Sequence, residues 1–388
     1  DRTSDKSYSL FFGLLAGDSS IDDSANISTF RMTSLNRYLE NDYNIEISLN
    51  NPIVADALKE LYVGAYFGRA NFTVIEGVLS DDNYPINGIT INQGLKVETE
   101  YVGLGFGKVT GSGTMSISTN VEREVFFNVQ GEIWHEAPRS ISEGSATTAY
   151  VGGLIGQAEM NLISIDNTVK TEVFVRAPDY IGTFTWGKAY IGSLIGNLNG
   201  SLSAESFETK NTLYMVANER SQFETDIYYG LVGATSGASS VELGTGQDVK
   251  PMTSNDSVTI VNTIGDIYVG GVIGCVSSET VTNKLTIANY INKSTYKFSK
   301  CEYVVVGGVI ADAKTTSYAV RTSGFGGKVV FDASEGYNLT VGGVIGVSKT
   351  STEKSSILSA YSYGDVFVNY GGDVRLEEYN FGGMLGKY

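Results

Sequence analysis

The string YVGGLIG at residues 150–156 returns as YIGSLIG at 190–196 and as YVGGVIG at 268–274. Seven further variants of this motif extend from one end of the chain to the other, at residues 11–17, 62–68, 101–107, 228–233, 305–311, 340–346 and 380–386. The glycine at its third position recurs about every 40 residues, as at Gly152 and Gly192. A period of this length is the sequence signature of a repeat architecture.

The motif has the alternation of an extended strand. Its second position is Val, Ile or aromatic, and its sixth is Ile, Phe or Leu in most copies. In a strand the second, fourth and sixth side chains share one face, so we expect that face to be the interior. The first, third, fifth and seventh positions then lie on the opposite face. There we expect an exposed ladder of tyrosines that stack between repeats, formed by Tyr62, Tyr101, Tyr150, Tyr190, Tyr228 and Tyr268.

The composition favours an all-β fold, since 46 Gly, 24 Tyr and only 5 Pro occur among 388 residues and strands and tight turns use such residues. One repeat cannot bury its own apolar face, whereas parallel stacking lets every repeat do so. The sequence therefore predicts a parallel β-solenoid, or β-helix, of about ten repeats that runs continuously over residues 1–388. The number of coils in each repeat stays open. A β-propeller is the alternative, but ten units exceed the usual number of blades and the Trp-Asp signatures are missing.

Two spacings between motifs are long and predict insertions. In the stretch PIVADALKELY at 52–62, Val54, Leu58 and Leu61 have helical spacing, and a proline near a helix start is favourable. We therefore expect a small helical or loop insertion over 31–61. A second insertion over 131–149 is polar and Ser-rich and is predicted to be a loop.

The string V-G-G-L/V-I-G is followed in the last full repeat by SAYSYG at 359–364 and then by Asp365 and Val366. This pattern resembles the GLUG-type repeats of bacterial and protist surface proteins and adhesins. The resemblance implies a secreted or surface-displayed protein with an adhesive or structural role. It brings no catalytic residues with it.

The supply of charged and catalytic residues argues against several function classes. The net charge of −16 repels phosphate backbones and anionic lipid headgroups, and the apolar runs are too short to span a bilayer, so we expect neither nucleic-acid binding nor membrane insertion. A histidine-based metal site or triad would depend on His135 alone. Three pairs of adjacent acids are predicted to be solvated turns, because neighbours on a strand point to opposite faces: Asp22 and Asp23, Asp81 and Asp82, and Glu377 and Glu378. We therefore expect no enzyme, no metal and no cofactor.

Covalent modification has two kinds of candidates. Cys275 and Cys301 are the only cysteines; because positions about one coil apart come into register, they are predicted to form a disulfide, with two buried free thiols as the alternative. Six Asn-x-Ser/Thr sequences make the chain a candidate glycoprotein, at Asn26, Asn71, Asn199, Asn255, Asn292 and Asn338.

Both ends of the sequence carry motif-like strings without a long polar cap, although solenoids normally need one. We therefore expect an extracellular or cell-surface structural and adhesive protein that associates with itself through the solenoid ends, as the subunit of an appendage or filament. The alternatives for the ends are continuation into further coils outside this sequence and a locally blunted end. A carbohydrate-binding adhesin that presents its tyrosines to glycans is the alternative. A polysaccharide-active enzyme on a β-helix is the third candidate.

Overall fold

The computed structural model describes residues 8–13, 16–18, 30–32, 43–48, 58–71, 74–77, 86–92, 97–117, 128–136, 147–164, 167–176, 182–184, 187–218, 221–246, 251–276, 284–313, 317–333, 338–348, 355–370 and 378–388. These residues form one continuous sheet of 39 strands, and no helix occurs among them. The fold is all-β, as the composition predicts.

The strands fall into ten groups, one for each copy of the motif. Repeats one to three contain β1 (Tyr8–Phe12), β2 (Ala16–Asp18), β3 (Phe30–Met32), β4 (Tyr43–Ser48), β5 (Leu58–Gly64), β6 (Phe67–Asn71), β7 (Val74–Gly77), β8 (Ile86–Asn92), β9 (Val97–Gly103), β10 (Phe106–Ile117) and β11 (Asn128–Glu136). Repeats four and five contain β12 (Thr148–Gly152), β13 (Ile155–Ser164), β14 (Asn167–Arg176), β15 (Gly182–Phe184), β16 (Lys188–Leu198), β17 (Ser201–Ala204), β18 (Phe207–Thr209), β19 (Thr212–Val216) and β20 (Ser221–Glu224).

In the later repeats, two long strands, β24 and β28, begin in one repeat and end in the motif of the next. Repeats six to eight contain β21 (Asp226–Thr235), β22 (Ser240–Leu243), β23 (Met252–Ser254), β24 (Ser257–Gly270), β25 (Ile273–Val276), β26 (Lys284–Ala288), β27 (Tyr290–Asn292), β28 (Thr295–Gly307), β29 (Ile310–Ala313), β30 (Ser317–Arg321), β31 (Gly324–Phe325) and β32 (Lys328–Ala333). Repeats nine and ten contain β33 (Asn338–Gly342), β34 (Ile345–Ser348), β35 (Ser356–Leu358), β36 (Tyr361–Ser362), β37 (Asp365–Tyr370), β38 (Glu378–Gly382) and β39 (Leu385–Lys387).

Each strand pairs in parallel with the strand that occupies the same place in the next repeat. Tyr190, for example, stands in register with Tyr150 on one side and with Tyr228 on the other. The third-position glycine keeps this alignment as far as Gly342 and Gly382. One repeat therefore advances the sheet by one strand.

The motif is a sharp corner between two strands in seven copies, whereas β16 and β21 run through it in the copies at 190–196 and 228–233. In the copy at 150–156, β12 ends at Gly152 and β13 begins at Ile155, and both Leu154 and Ile155 are buried in the core. A Cβ atom on Gly152 would collide with the carbonyl oxygen of Ile155, so this corner requires glycine. The expected alternation is wrong at the fifth position, because the chain turns between the third and sixth residues and brings the fifth side chain inward.

A second corner uses the left-handed backbone conformation in four consecutive repeats. The residues concerned are Gly244, Asn289, Thr322 and Ser359, with φ between 47° and 62°. The backbone N–H of each of the first three also donates to the neighbouring repeat. Asparagine tolerates this conformation better than most residues, and Asn289 adds a side-chain hydrogen bond from Nδ2 to the carbonyl oxygen of Gly244 at 3.1 Å.

Strands occupy part of each of the two predicted insertions, so the bounds given for the insertions are too wide. Within 31–61, residues 43–48 form β4 and residues 58–61 begin β5, which pairs with β9. Leu58 and Leu61 have the spacing of a helix but lie in a strand. Strand pairing is favoured because it satisfies the backbone hydrogen bonds of β5 on both neighbouring strands. Within 131–149, residues 131–136 belong to β11 and pair with β14 and β8, and β12 begins at Thr148. Residues 33–42, 49–57 and 137–146 lie outside the described part, so insertions at those residues stay a prediction.

One hydrophobic cluster runs through all ten repeats. It extends from Leu10 and Phe12 in the first repeat to Tyr379 and Leu385 in the last. The second and sixth motif positions supply much of it, and Ile191 is typical in being fully buried. Two smaller clusters lie on the other side of the motif strands, around the tyrosines.

Candidate functional site

The first-position side chains of seven consecutive repeats form a stack of aromatic rings. Neighbouring centroids are 4.7 to 5.4 Å apart and the planes lie within 18° of parallel. The tyrosine stack, as we call it, consists of Phe11, Tyr62, Tyr101, Tyr150, Tyr190, Tyr228 and Tyr268. It ends where Tyr303 meets Tyr268 edge-on at 6.2 Å.

Most of these rings are buried, which corrects the expectation of an exposed ladder. Tyr62, Tyr101, Tyr190 and Tyr268 are at most 8% exposed, and the two other tyrosines are half-buried. The glycine corner is the reason, because the strand that follows the motif turns back beside the rings. Its side chains then cover the stack.

Cations close over one end of the stack. The guanidinium of Arg69 lies 4.8 Å from the centroid of Phe11 and 5.5 Å from that of Tyr62, and the ammonium of Lys108 lies 5.3 Å from that of Tyr101. Both cations are also paired with carboxylates, Arg69 with Asp18 at 2.6 Å and Lys108 with Glu159 at 2.8 Å. Further along, small side chains take this place, and Ala234 and Cys275 pack against Tyr190.

Burial raises the pKa of every tyrosine in the stack. The pKa of Tyr62 is raised to about 12; desolvation is the largest cause and the nearby carboxylate of Glu60 the next. The pKa values of the other five are raised by the same leading cause. These phenols therefore stay neutral at physiological pH and pack as uncharged rings.

The predicted disulfide is absent, and both cysteines are buried free thiols. Cys275 belongs to the outer cluster around Tyr190, whereas Cys301 lies in the main core. In the register of the sheet, Cys275 is paired with Asp312 of the next repeat, and Cys301 is paired with Thr263 of the preceding one. The cysteines are 26 positions apart while the local step from Cys275 to Asp312 is 37 positions, so the repeat cannot bring them together.

The Cys301 thiol is fully enclosed. It donates weak hydrogen bonds to the carbonyl oxygens of Ser299 at 3.3 Å and Ile260 at 3.5 Å. Burial raises the pKa of Cys301 to about 12. Because the thiolate is the reactive form, this thiol is chemically inert in the folded chain.

The six glycosylation candidates differ in exposure. Asn71, Asn199 and Asn255 are exposed and Asn338 is half-buried, while Asn26 lies outside the described residues. Asn292 is fully buried and is excluded as a glycan carrier in the folded chain. Its Nδ2 donates to the Tyr296 hydroxyl at 2.8 Å and to the carbonyl oxygen of Gly308 at 2.7 Å, so no room is left for a sugar.

Asn292 also accepts from the Ser294 N–H at 2.9 Å, and Ser294 belongs to a polar column inside the core that the sequence analysis missed. Its centre is Asp256, which is 3% exposed. One carboxylate oxygen accepts from the Asn211 backbone N–H at 2.8 Å and from its Nδ2 at 3.1 Å, and the other accepts from the Tyr229 hydroxyl at 3.1 Å. The Asp256 N–H donates to the Ser294 hydroxyl at 3.0 Å.

Desolvation raises the pKa of the Asp256 carboxyl, although its hydrogen bonds act in the opposite direction. The sequence offered one signal for this column. Asn211, Asp256 and Ser294 are each separated by about one repeat, so they lie beside one another in neighbouring strands. That spacing indicates alignment, but only the side-chain contacts distinguish an interior column from a surface one.

The last repeat exposes side chains whose counterparts in earlier repeats are buried. Phe381 is 53% exposed while its neighbour in register, Val341, is 4% exposed. Met384 is 38% exposed, whereas Val344, whose N–H donates to the Met384 carbonyl oxygen, is fully buried. We call the strands β38 and β39 with these two side chains the open edge.

Other candidate chemistry receives no support from the described residues. Among them, three or more His, Cys, Asp or Glu side chains nowhere gather as metal ligands would, and no helix is long and apolar enough to cross a bilayer. Of the acid pairs, only Glu378 is described; it is exposed and paired with Lys387 at 2.9 Å, which lowers the pKa of its carboxyl. No known protein family, curated protein or solved structure matches this chain.

Proposed function

We propose that the chain is a parallel β-solenoid with one coil per repeat, and that it serves as a structural subunit that assembles end to end outside the cell. Ten coils spaced by ~4.8 Å make a rod of about 45 Å. Such a rod gains length by stacking further copies on its ends. The role is that of a surface appendage or filament, in line with the resemblance to GLUG-type surface proteins.

The unbroken register carries this proposal, because each motif strand pairs in parallel with the same strand of the next repeat and a further copy could continue the stack in the same way. In the described part of the chain, Phe381 and Met384 expose apolar surface beside strands with one pairing partner each, and a strand edge of this kind is a template for another chain. The core reaches this edge without an intervening polar layer, since Tyr379 and Leu385 pack directly on the continuous cluster. A second solenoid end is the surface best able to satisfy both features at once.

The exterior fits an extracellular setting. The net charge of −16 keeps rods soluble and limits sideways association, while most of the large apolar side chains that are exposed among the described residues lie in the last two repeats. Asn71, Asn199 and Asn255 are exposed and are the sites we propose for glycans if a eukaryotic secretory cell makes the protein.

Carbohydrate binding has a weaker basis than assembly. The adhesin hypothesis depended on exposed tyrosines, and burial of the tyrosine stack removes that surface. The expectation that the chain is not an enzyme stays a prediction, which turnover assays on polysaccharides can test.

Electron microscopy and light scattering over a range of protein concentrations test the proposed assembly. The chain should form rods several times longer than about 45 Å, and a variant with Phe381→Ser and Met384→Ser should stay at unit length. Tyr214→Ser is the matched control, because Tyr214 is 45% exposed on the side of the sheet and should leave assembly intact. Unit-length rods of the unmodified chain at every concentration would contradict the proposal.

A further inference from the structure

We infer that the outer face of strands β11, β14 and β19 binds an uncharged polysaccharide on a row of three aromatic residues. The aromatic row, as we call it, consists of Trp134, Phe174 and Tyr214. The inference does not depend on the proposed assembly. It gives carbohydrate binding a surface that is separate from the buried tyrosine stack.

The members of the row stand side by side in neighbouring repeats. Trp134 is paired in register with Phe174, and Phe174 is paired with Tyr214. Because adjacent strands lie ~4.8 Å apart, the row crosses three strands over about 10 Å. It therefore runs at right angles to the strands, along the direction in which the repeats stack.

The row lies on the outer face of the sheet. Each member follows a residue of the buried core, Ile133, Val173 or Leu213, and successive residues of a strand face opposite sides. The described side chains of the same column agree with this placement. Thr90, which is paired with the first member of the row, is half-buried, and Tyr214 is 45% exposed.

A line of aromatic residues on an open sheet surface suits a sugar polymer. The C–H faces of a pyranose pack on aromatic rings, and Trp and Tyr combine a large apolar body with a polar tip. The spacing of one strand is close to the length of one sugar residue in an extended chain. An extended β-linked glycan can therefore place consecutive sugar residues over consecutive members of the row.

The residues that border the row define the charge of the ligand. On the same face, two positions before each member, stand Glu132, Glu172 and Thr212, and two positions after the first two members stand Glu136 and Arg176. Carboxylates accept hydrogen bonds from hydroxyl groups. These acids and the net charge of −16 also repel acidic polymers. An uncharged glycan is therefore the ligand class that this face fits.

Electrophoresis in native gels that contain a polysaccharide tests the inference. The uncharged probes are hydroxyethylcellulose, mixed-linkage β-glucan and xylan, and polygalacturonate is the acidic counterpart. We expect at least one uncharged polymer to retard the unmodified chain, and polygalacturonate to have no effect. The variant with Phe381→Ser and Met384→Ser should be retarded equally, so the result is independent of whether the chain assembles.

Substitutions in the row identify the binding surface. Trp134→Ala and Tyr214→Ala should each weaken binding by about tenfold or more, whereas Tyr214→Phe should retain it because the ring stays in place. Thr259→Ala is the matched control, because Thr259 is paired with Tyr214 in the next strand of the same column and carries no ring. Circular dichroism verifies that each variant is folded.

Three results would overturn the inference. The first is that none of the uncharged polymers retards the unmodified chain, and the second is that only polygalacturonate does. The third is that retardation survives the combined Trp134→Ala and Tyr214→Ala substitutions, or falls equally with Thr259→Ala. None of these results bears on the proposed end-to-end assembly, which the length of the rods tests separately.

Discussion

The phenol rings of Tyr190 and Tyr228, 38 residues apart in the chain, lie face to face with centroids 5.0 Å apart and planes 18° from parallel. Their backbones are paired in register in neighbouring strands. This contact is one example of the register of the whole sheet, in which each motif residue lies beside the equivalent residue of the next repeat.

Truncating one ring should remove two such contacts at once. We expect Tyr190→Ala to lower the free energy of unfolding by about 3–5 kcal/mol, as for other buried aromatic residues. Tyr214→Ala should change it by less than about 1 kcal/mol, because Tyr214 is 45% exposed. Urea unfolding followed by circular dichroism measures both, and a Tyr190→Ala protein as stable as the control would contradict the stacked arrangement.

The glycine corner offers a matched pair of substitutions. A Cβ on Gly152 would collide with the carbonyl oxygen of Ile155, whereas a Cβ on Gly383 meets nothing within 4 Å. We expect Gly152→Ala to destabilise the chain by about 3 kcal/mol or more and Gly383→Ala to be close to neutral. Thermal unfolding of the two variants side by side is the measurement, and equal effects would show that the corner is not built as described.

The periodic features of the fold could be predicted from the sequence, since Gly152 and Gly192 fix the period and Ile191 and Ile195 fix the buried face. The corner could not, because alternation over seven residues looks the same whether the strand continues or turns at Gly152. That turn determines which side of Tyr190 is covered. The prediction that the tyrosines are exposed was therefore wrong, whereas their alignment follows from the repeat.

Pairing between distant positions was predictable only when the spacing matched the local period. The cysteines were expected to meet, yet the repeat containing Cys275 advances by 37 residues to Asp312, and Cys301 falls short of that place. The helix expected around Leu58 failed for a related reason, because pairing with β9 outweighs the local preference. Asp256 gave no local signal, since a lone acid in a polar string is usually solvated.

The buried carboxyl of Asp256 should make stability depend on pH. The pKa of this carboxyl in the folded chain is raised above its ordinary value of 3.8. At a pH between the ordinary and the folded pKa, the folded chain therefore keeps a proton that the unfolded chain has released. The contribution of Asp256 is therefore most favourable below the ordinary pKa and is lost as pH rises to the folded value. The neighbouring Tyr229 and Tyr290 have raised pKa values and stay neutral throughout.

We expect Asp256→Asn to remove the loss of stability that Asp256 causes as pH rises. The variant should be at least as stable as the unmodified chain near pH 7, because its amide still accepts from Asn211 and can donate to Tyr229. Asp256→Ala should cost about 2–4 kcal/mol, because donors are left without an acceptor. The free energy of unfolding is measured across the acidic range, with the exposed Asp365→Asn as control. An Asp256→Asn protein whose stability falls with pH as steeply as the control's would refute this account of the column.

Both thiols should be protected by the fold. We expect neither Cys275 nor Cys301 to react with iodoacetamide in the native chain at neutral pH, and both to react in urea without any reductant. Intact mass before and after alkylation counts the modified thiols. A mass lower than that of the dithiol by two hydrogen atoms, or a denatured chain that reacts only after reduction, would show that the disulfide forms.

The most direct test of the one-strand-per-repeat stacking is the distance between spin labels at Lys188→Cys and Glu378→Cys, measured by pulsed electron paramagnetic resonance. These exposed positions occupy the same place in repeats five and ten. The register links them through Asp226, Asp266, Tyr303 and Asn338, where the step from Asp226 to Asp266 follows from the aligned Ile227 and Ile267. Parallel stacking predicts a single distance near five strand spacings, ~24 Å between backbones, broadened by the label arms. A distance twice as long or several separate populations would show that consecutive repeats do not lie on one another.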